Sequence, residues 1–131
     1  GEEEEGLRQA ANQGNTEEVL RLLNKGVSVN AANEHGWTPL INAAFEGEGD
    51  MVKLLVRKGA DVHLTTCDDE TALMMASHDG CVAAVAALLE AGANVHAKDI
   101  KGRTALECAT YLGHDEVARL LEAAGASHTA G

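Results

Sequence analysis

The amino-acid sequence predicts an all-α protein made of four copies of one helix-pair unit. Residues separated by 33 positions match throughout the chain, and signals for helix starts and helix ends recur within each copy. We place the copies at about residues 5–32, 33–65, 66–98 and 99–128. Five fourfold series keep the interval: Gly14, Gly47, Gly80 and Gly113; Gly26, Gly59, Gly92 and Gly125; Leu7, Leu40, Leu73 and Leu106; Leu22, Leu55, Leu88 and Leu121; and Ala10, Ala43, Ala76 and Ala109.

The signals that predict the first helix of each copy are strongest in the second copy. Thr38 offers a hydroxyl for the N-cap, and Pro39 occupies the first helical position, where the missing N–H costs nothing. Apolar and small residues follow at helical spacing until Gly47 interrupts the run. We therefore predict a short helix that begins after Thr38, with Ala43 small enough to let a neighbouring helix approach closely.

A second helix is predicted from about Asp50 to Lys58, followed by an extended hairpin over residues 60–70. Gly59 supplies the left-handed residue that ends this helix. Helices of about nine residues are too short to be stable alone, so the copies must stack on one another. The apolar residues expected to face inward are Met51, Val52, Leu54 and Leu55.

Length, charge and cysteine content restrict the class of protein. A chain of 131 residues with 45% hydrophobic residues suits one domain. With 21 acidic and 10 basic side chains the net charge is -11, which disfavours binding to nucleic acids or to anionic membranes. The three cysteines are too few for a disulfide framework and favour a reducing compartment. We expect a soluble cytoplasmic or nuclear protein that is monomeric when unbound.

The two ends are expected to be less ordered than the repeats. We expect residues 1–4 to form a disordered acidic head, residues 5–128 a single repeat domain, and residues 129–131 a tail. The outward positions of the first and last copies are polar, as the terminal repeats of a stacked array require. These copies are therefore predicted to be caps.

The signature segments of the copies resemble the T-P-L-H-x-A-A motif of ankyrin repeats. The resemblance rests on residues 38–44, 71–76 and 104–109, and it extends to residues 59–63 and 92–96, which are similar to the family's G-A-D-V-N segment. It covers about residues 5 to 128. The resemblance implies an ankyrin-repeat solenoid of helix-turn-helix units joined by β-hairpin loops, and a non-enzymatic module that binds other proteins through its concave groove and hairpin tips.

The chain departs from the family pattern at two kinds of position. Asp69 stands where the other hairpin turns have Gly36 and Gly102, and since Asp adopts positive φ less easily than Gly, we expect strain or rearrangement in that turn. The third repeat should therefore be the least regular. The signature histidine, with the hydrogen bonds that it makes between repeats, is replaced by Ile41, Met74 and Glu107.

Three aromatic residues point to a binding surface. When the copies are overlaid, Trp37 lies at a hairpin tip, while Phe45 and Tyr111 share one position near the end of the first helix. The resemblance implies that these positions face the groove and vary with the partner. An apolar centre with a charged rim is typical of protein interfaces, and here it suits a partner with mixed or locally basic charge. The surrounding candidates are Glu34, His35, Glu46, Asp68, Glu70, His78, Asp79, Ile100, Lys101, Arg103 and Leu112.

Other interpretations stay open at this stage. Each ring could instead pack locally over a neighbouring repeat. The chain could be a natural regulatory domain or fragment, or an engineered or selected binder or scaffold. A metal or catalytic site between hairpin tips has little support, since no C-x-x-C, H-E-x-x-H, P-loop or G-x-G-x-x-G spacing occurs, and we predict neither metal nor cofactor. Cys108 is expected in the core and Cys67 at an exposed tip.

Overall fold

The computed structural model describes residues 1–126, so the expected tail at 129–131 and the end of the fourth repeat lie outside the described residues. The described residues form four consecutive helix pairs, and the first helix of each pair contacts the first helix of the next pair. This confirms the predicted all-α repeat architecture. The helices are α1 (Glu2–Asn12), α2 (Thr16–Asn24), α3 (Pro39–Phe45), α4 (Gly49–Arg57), α5 (Ala72–Asp79), α6 (Val82–Glu90), α7 (Ala105–Tyr111) and α8 (Asp115–Ala123).

Threonine caps start the first helices of the second, third and fourth repeats. The hydroxyls of Thr38, Thr71 and Thr104 each accept a hydrogen bond from the backbone N–H three residues later, at 3.1, 3.2 and 3.2 Å. The cap predicted at Thr38 is thereby confirmed. In the fourth repeat the Glu107 carboxylate also accepts a hydrogen bond from the backbone N–H of Thr104, at 3.0 Å. The residue that replaces the signature histidine there stabilises the helix start instead.

The core consists of small and branched residues that repeat along the stack. Each member of the two leucine series and of the alanine series is buried. Alanine on the contact face lets the backbones of neighbouring helices approach closely, and the leucines fill the space between the two helices of each pair. On α4, Met51, Val52 and Leu55 are buried and Leu54 is partly buried, close to the inward face predicted.

The hairpin loops at residues 25–38, 58–71 and 91–104 share one turn. The backbone N–H of Asn33, Thr66 and Asp99 donates to the carbonyl four residues later, at 3.0, 2.9 and 3.0 Å. Within residues 1–126 these loops contain no regular strand, and a single isolated antiparallel bridge joins Thr65 to Thr71. The hairpins are therefore held as tight turns.

The same three residues also hold each turn with their side chains, and we call Asn33, Thr66 and Asp99 the turn-bridging residues. A side-chain oxygen of each accepts hydrogen bonds from the backbone N–H groups two and four residues later, at 2.9 to 3.2 Å. Adjacent loops are linked as well, because the N–H of Cys67 donates to the carbonyl of His35 and the N–H of Ile100 to that of Asp68, both at 2.9 Å.

The acidic head is helical, so the expected disorder of residues 1–4 is wrong. Helix α1 begins at Glu2, and its first turn contains four glutamates. Negative charge at the start of a helix is favourable because it opposes the positive end of the macrodipole. Glu4 forms an ion pair with the terminal amine and Glu3 pairs with Lys25 of the adjoining loop. These contacts offset part of the mutual repulsion of the four glutamates.

The turn at Asp69 keeps the conformation of its glycine counterparts. Asp69 has φ 61°, compared with 81° at Gly36 and 79° at Gly102, and it is the single non-glycine residue with positive φ among residues 1–126. The turn is therefore not rearranged, and Asp69 has the positive φ on which the expected strain is based. The third repeat thus holds an L-residue in a conformation that costs it energy.

Replacing Asp69 with glycine should stabilise the fold. We expect Asp69→Gly to raise the free energy of unfolding by about 0.5 to 1 kcal/mol, because relief of the left-handed conformation outweighs the greater freedom of glycine in the unfolded chain. Gly102→Asp is the reciprocal control. A Cβ at Gly102 meets no atom within 4 Å, so the loss of unfolding free energy in this variant measures only the cost of placing an aspartate at positive φ. Urea unfolding of both variants would contradict this account if Asp69→Gly were neutral or destabilising.

Candidate protein-binding surface

Two adjoining depressions lie beside the first helices and the hairpin tips, and together we call them the binding groove. The larger, of about 600 Å³, lies at the fourth repeat, and the smaller, of about 180 Å³, lies between the second and fourth repeats. They share His78, Arg103 and Cys108. The larger is also lined by Glu107, Thr110, Tyr111 and Leu112, and the smaller by Trp37, Phe45, Glu70, Met74, Met75 and Asp99.

The three rings lie at the two ends of this groove and differ in exposure. Tyr111 is 89% exposed and Phe45 is 47% exposed. Trp37 is partly buried against the core, and its ring meets that of Phe45 edge to face with centroids 5.2 Å apart. The alternative that a ring packs locally therefore holds in part for Trp37 and for Phe45, whereas Tyr111 projects into solvent.

The predicted surface residues divide into two groups. Seven line the groove: Trp37, Phe45, Glu70, His78, Arg103, Tyr111 and Leu112. The other seven are exposed but line neither depression: Glu34, His35, Glu46, Asp68, Asp79, Ile100 and Lys101. Ile100 is 66% exposed at the last hairpin tip, where an apolar side chain is unusual. That these residues contact a partner protein stays a prediction.

Some lining residues were not expected from the sequence. Cys108, expected in the core, is only partly buried and lines both depressions. Met74 and Met75 are buried in the core, yet their remaining exposed atoms form part of the smaller depression. Asp99 was missed entirely. The signal that could have found it is the 33-residue interval that it shares with Asn33 and Thr66, each with a short oxygen-bearing side chain.

An ion pair fixes the basic side of the groove. Arg103 Nε donates to Asp99 Oδ2 at 2.9 Å, and the Asp99 side chain is only 4% exposed. Burial raises the pKa of Asp99, but hydrogen bonds from the backbone and side chain of Arg103 and from the backbone of Lys101 outweigh it and hold this pKa below its ordinary value. The hydrogen bond to Asp99 raises the pKa of Arg103.

The thiols offer little support for nucleophilic chemistry. Burial raises the pKa of Cys108, so its thiol stays protonated at neutral pH. Cys67 is exposed at its hairpin tip, as expected.

In the described part of the chain, no three or more His, Cys, Asp or Glu side chains are grouped so that they could hold a metal ion. None of the helices within residues 1–126 has the length and hydrophobicity that a membrane-spanning segment requires.

Stacked helix pairs with a lateral groove define a helical repeat protein. The family model described as ankyrin repeats (3 copies) matches residues 2–66 and 43–130. The chain belongs to the ankyrin repeat family, as its signature segments predict. No curated protein sequence matches the chain significantly.

The Asp99 interactions should make stability depend on pH. Because the folded pKa lies below the unfolded one, the stabilisation is fully present above the unfolded pKa and is lost as the pH falls through the folded pKa. We expect Asp99→Asn to lower the unfolding free energy by about 1 to 3 kcal/mol near neutral pH, and by clearly less at about pH 3. The measurement is urea unfolding at both pH values.

Asp68→Asn is the matched control for this pH dependence, since Asp68 is exposed at a hairpin tip. Its difference from the wild type should be small at both pH values. A loss of stability in Asp99→Asn that is the same near neutral pH and in acid would show that packing, and not the carboxylate charge, accounts for the role of Asp99.

Proposed function

We propose that this protein binds a partner protein through the binding groove, with Tyr111, Phe45 and the exposed edge of Trp37 as the main contacts. Ankyrin repeats generally serve as protein-protein interaction modules. The observation that carries the proposal is the placement of two exposed rings, the half-exposed Phe45 and the almost fully exposed Tyr111, at opposite ends of one groove. A ring left wholly in water forgoes roughly 1.5 to 3 kcal/mol of burial, which a partner can recover in large part at Tyr111 and to a smaller extent at Phe45.

The rim of the groove indicates the charge of that partner. Acidic side chains surround the part formed by the second and third repeats, and basic side chains lie at the last hairpin loop, residues 91–104. Charge of this kind determines orientation and association rate more than affinity. The proposed partner therefore presents basic groups to the first part and acidic groups to the last. The acidic set is Glu34, Glu46, Asp68, Glu70 and Asp79; the basic set is Lys98, Lys101 and Arg103.

The module is proposed to act by binding alone. Its family is typically non-enzymatic, and the one thiol in the groove has a raised pKa. The three cysteines of the chain are free thiols, which supports a reducing compartment such as the cytoplasm or nucleus. The strong negative charge favours a monomer in the unbound state, because two copies would repel each other.

Removing the Tyr111 ring gives the clearest test of groove binding. A partner protein is first isolated by pull-down with the wild type. We expect Tyr111→Ala to weaken binding to that partner by about 2 kcal/mol or more, as loss of a hot-spot ring does. The melting temperature should stay unchanged, because the ring is exposed. Trp37→Ala should weaken binding similarly but also lower stability, since Trp37 packs on the core. Affinity would be measured by calorimetry with each purified variant.

Lys53→Ala is the control variant, because Lys53 lies on α4 beside α6 and lines neither part of the binding groove. Its affinity for the partner should equal that of the wild type. If Lys53→Ala weakened binding and Tyr111→Ala did not, the partner would bind the second helices, and the proposed groove would be wrong.

A further inference from the structure

The smaller depression has the size of one amino-acid side chain, and we call it the side-chain pocket. Its volume is about 180 Å³. Pockets for drug-sized molecules measure about 300 to 1,000 Å³, so this pocket is too small for them. Trp37 and Phe45 form one wall, and Met74 and Met75 contribute apolar atoms. A long, flexible aliphatic chain can lie along such a surface.

The charge of the pocket is set by Glu70. Asp99 and Arg103 also line it, but they are paired with each other, and Asp99 accepts two further backbone hydrogen bonds. Glu70 Oε1 accepts a hydrogen bond from the neutral hydroxyl of Thr66 at 3.1 Å. Among residues 1–126 no cation lies within ion-pair distance of Glu70; Arg103 attracts it only from farther away. The pocket therefore carries one uncompensated negative charge.

We infer that the side-chain pocket binds a lysine side chain of the partner protein. The aliphatic stem lies against Met74, Met75 and the two rings, and the ammonium group reaches the Glu70 carboxylate. Lysine characteristically buries its methylene stem along apolar surfaces while its charged end stays polar. A cation near the aromatic wall gains additional attraction from the rings. This inference rests on the proposed function and specifies what the groove recognises.

The pocket discriminates against other side chains. A purely apolar side chain would remove water from the Glu70 carboxylate without replacing its hydrogen bonds, which is costly. An acidic side chain would be repelled. Arginine binds best to a carboxylate with two free oxygens, whereas Oε1 of Glu70 already accepts from Thr66. An ammonium is a compact point charge that forms an ion pair with a single carboxylate oxygen.

The test uses a small probe, so that it does not depend on the unknown partner. Nα-acetyl-lysine N-methylamide is titrated into the protein while the Met methyl and Trp indole resonances are followed by NMR. We expect saturable shifts at Met74, Met75 and Trp37, and none at Met51, which is buried on α4. The norleucine analogue keeps the aliphatic stem and lacks the ammonium; it should bind about fivefold or more weakly, which is about 1 kcal/mol.

Two charge variants make the role of Glu70 specific. Glu70→Gln should reduce the affinity for the lysine probe about fivefold, to the level of the norleucine analogue. Glu90→Gln removes the same charge from the end of α6, outside the binding groove, and should leave the affinity within about twofold of the wild type. Equal binding of both probes to the wild type, or equal affinities in Glu70→Gln and Glu90→Gln, would overturn the inference; so would tighter binding of the arginine analogue.

This experiment separates the pocket from the groove as a whole. If the partner requires Tyr111 but the lysine probe leaves Met74 and Met75 unshifted, the pocket inference fails and the proposed function stands. If the lysine probe binds as described but no captured protein depends on Tyr111, the proposed function fails and the pocket remains a lysine site.

Discussion

The structure depends on the inability of its helices to exist alone. They contain seven to eleven residues, shorter than the roughly 12 to 15 residues at which isolated helices become even marginally stable. Each first helix therefore gains its stability from the helix of its own pair and from the next first helix in the row. The buried alanines at one position of every repeat make this contact close, and the stack exists because no single repeat can bury its apolar face by itself.

Packing of the first helices leaves the hairpin loops free to carry variable residues, provided that the loops themselves are rigid. The turn-bridging residues supply that rigidity from within each loop, and the hydrogen bonds from Cys67 to His35 and from Ile100 to Asp68 supply it between loops. The hairpin tips thus form a continuous edge whose backbone is fixed while its side chains are exposed. Rigid presentation reduces the ordering that binding would otherwise require.

The 33-residue period, together with the helix starts and ends that recur within it, was sufficient to predict stacked helix pairs, because repeated residue types specify repeated structure. The features that the sequence did not predict all arise from contacts between different helices and loops. The helical head forms an ion pair between Glu3 and Lys25, and Trp37 packs against the core and against a ring eight residues away. Cys108 lines both depressions of the groove beside His78 of the preceding repeat. Composition and spacing do not predict these contacts. The role of Asp99 could have been predicted, because it lies at the 33-residue interval from Asn33 and Thr66.

The binding groove is best understood as columns of equivalent residues, one from each repeat. One column reads Trp37, Glu70 and Arg103, and a second reads Phe45, His78 and Tyr111. The side-chain pocket opens where the large rings of the second repeat are followed by smaller polar residues in the third. The buried leucines and alanines that maintain the stack belong to other columns. Substitution within the groove columns can therefore change charge and shape without changing the fold, and recognition in this chain is separable from stability except at Trp37, where one ring contributes to both.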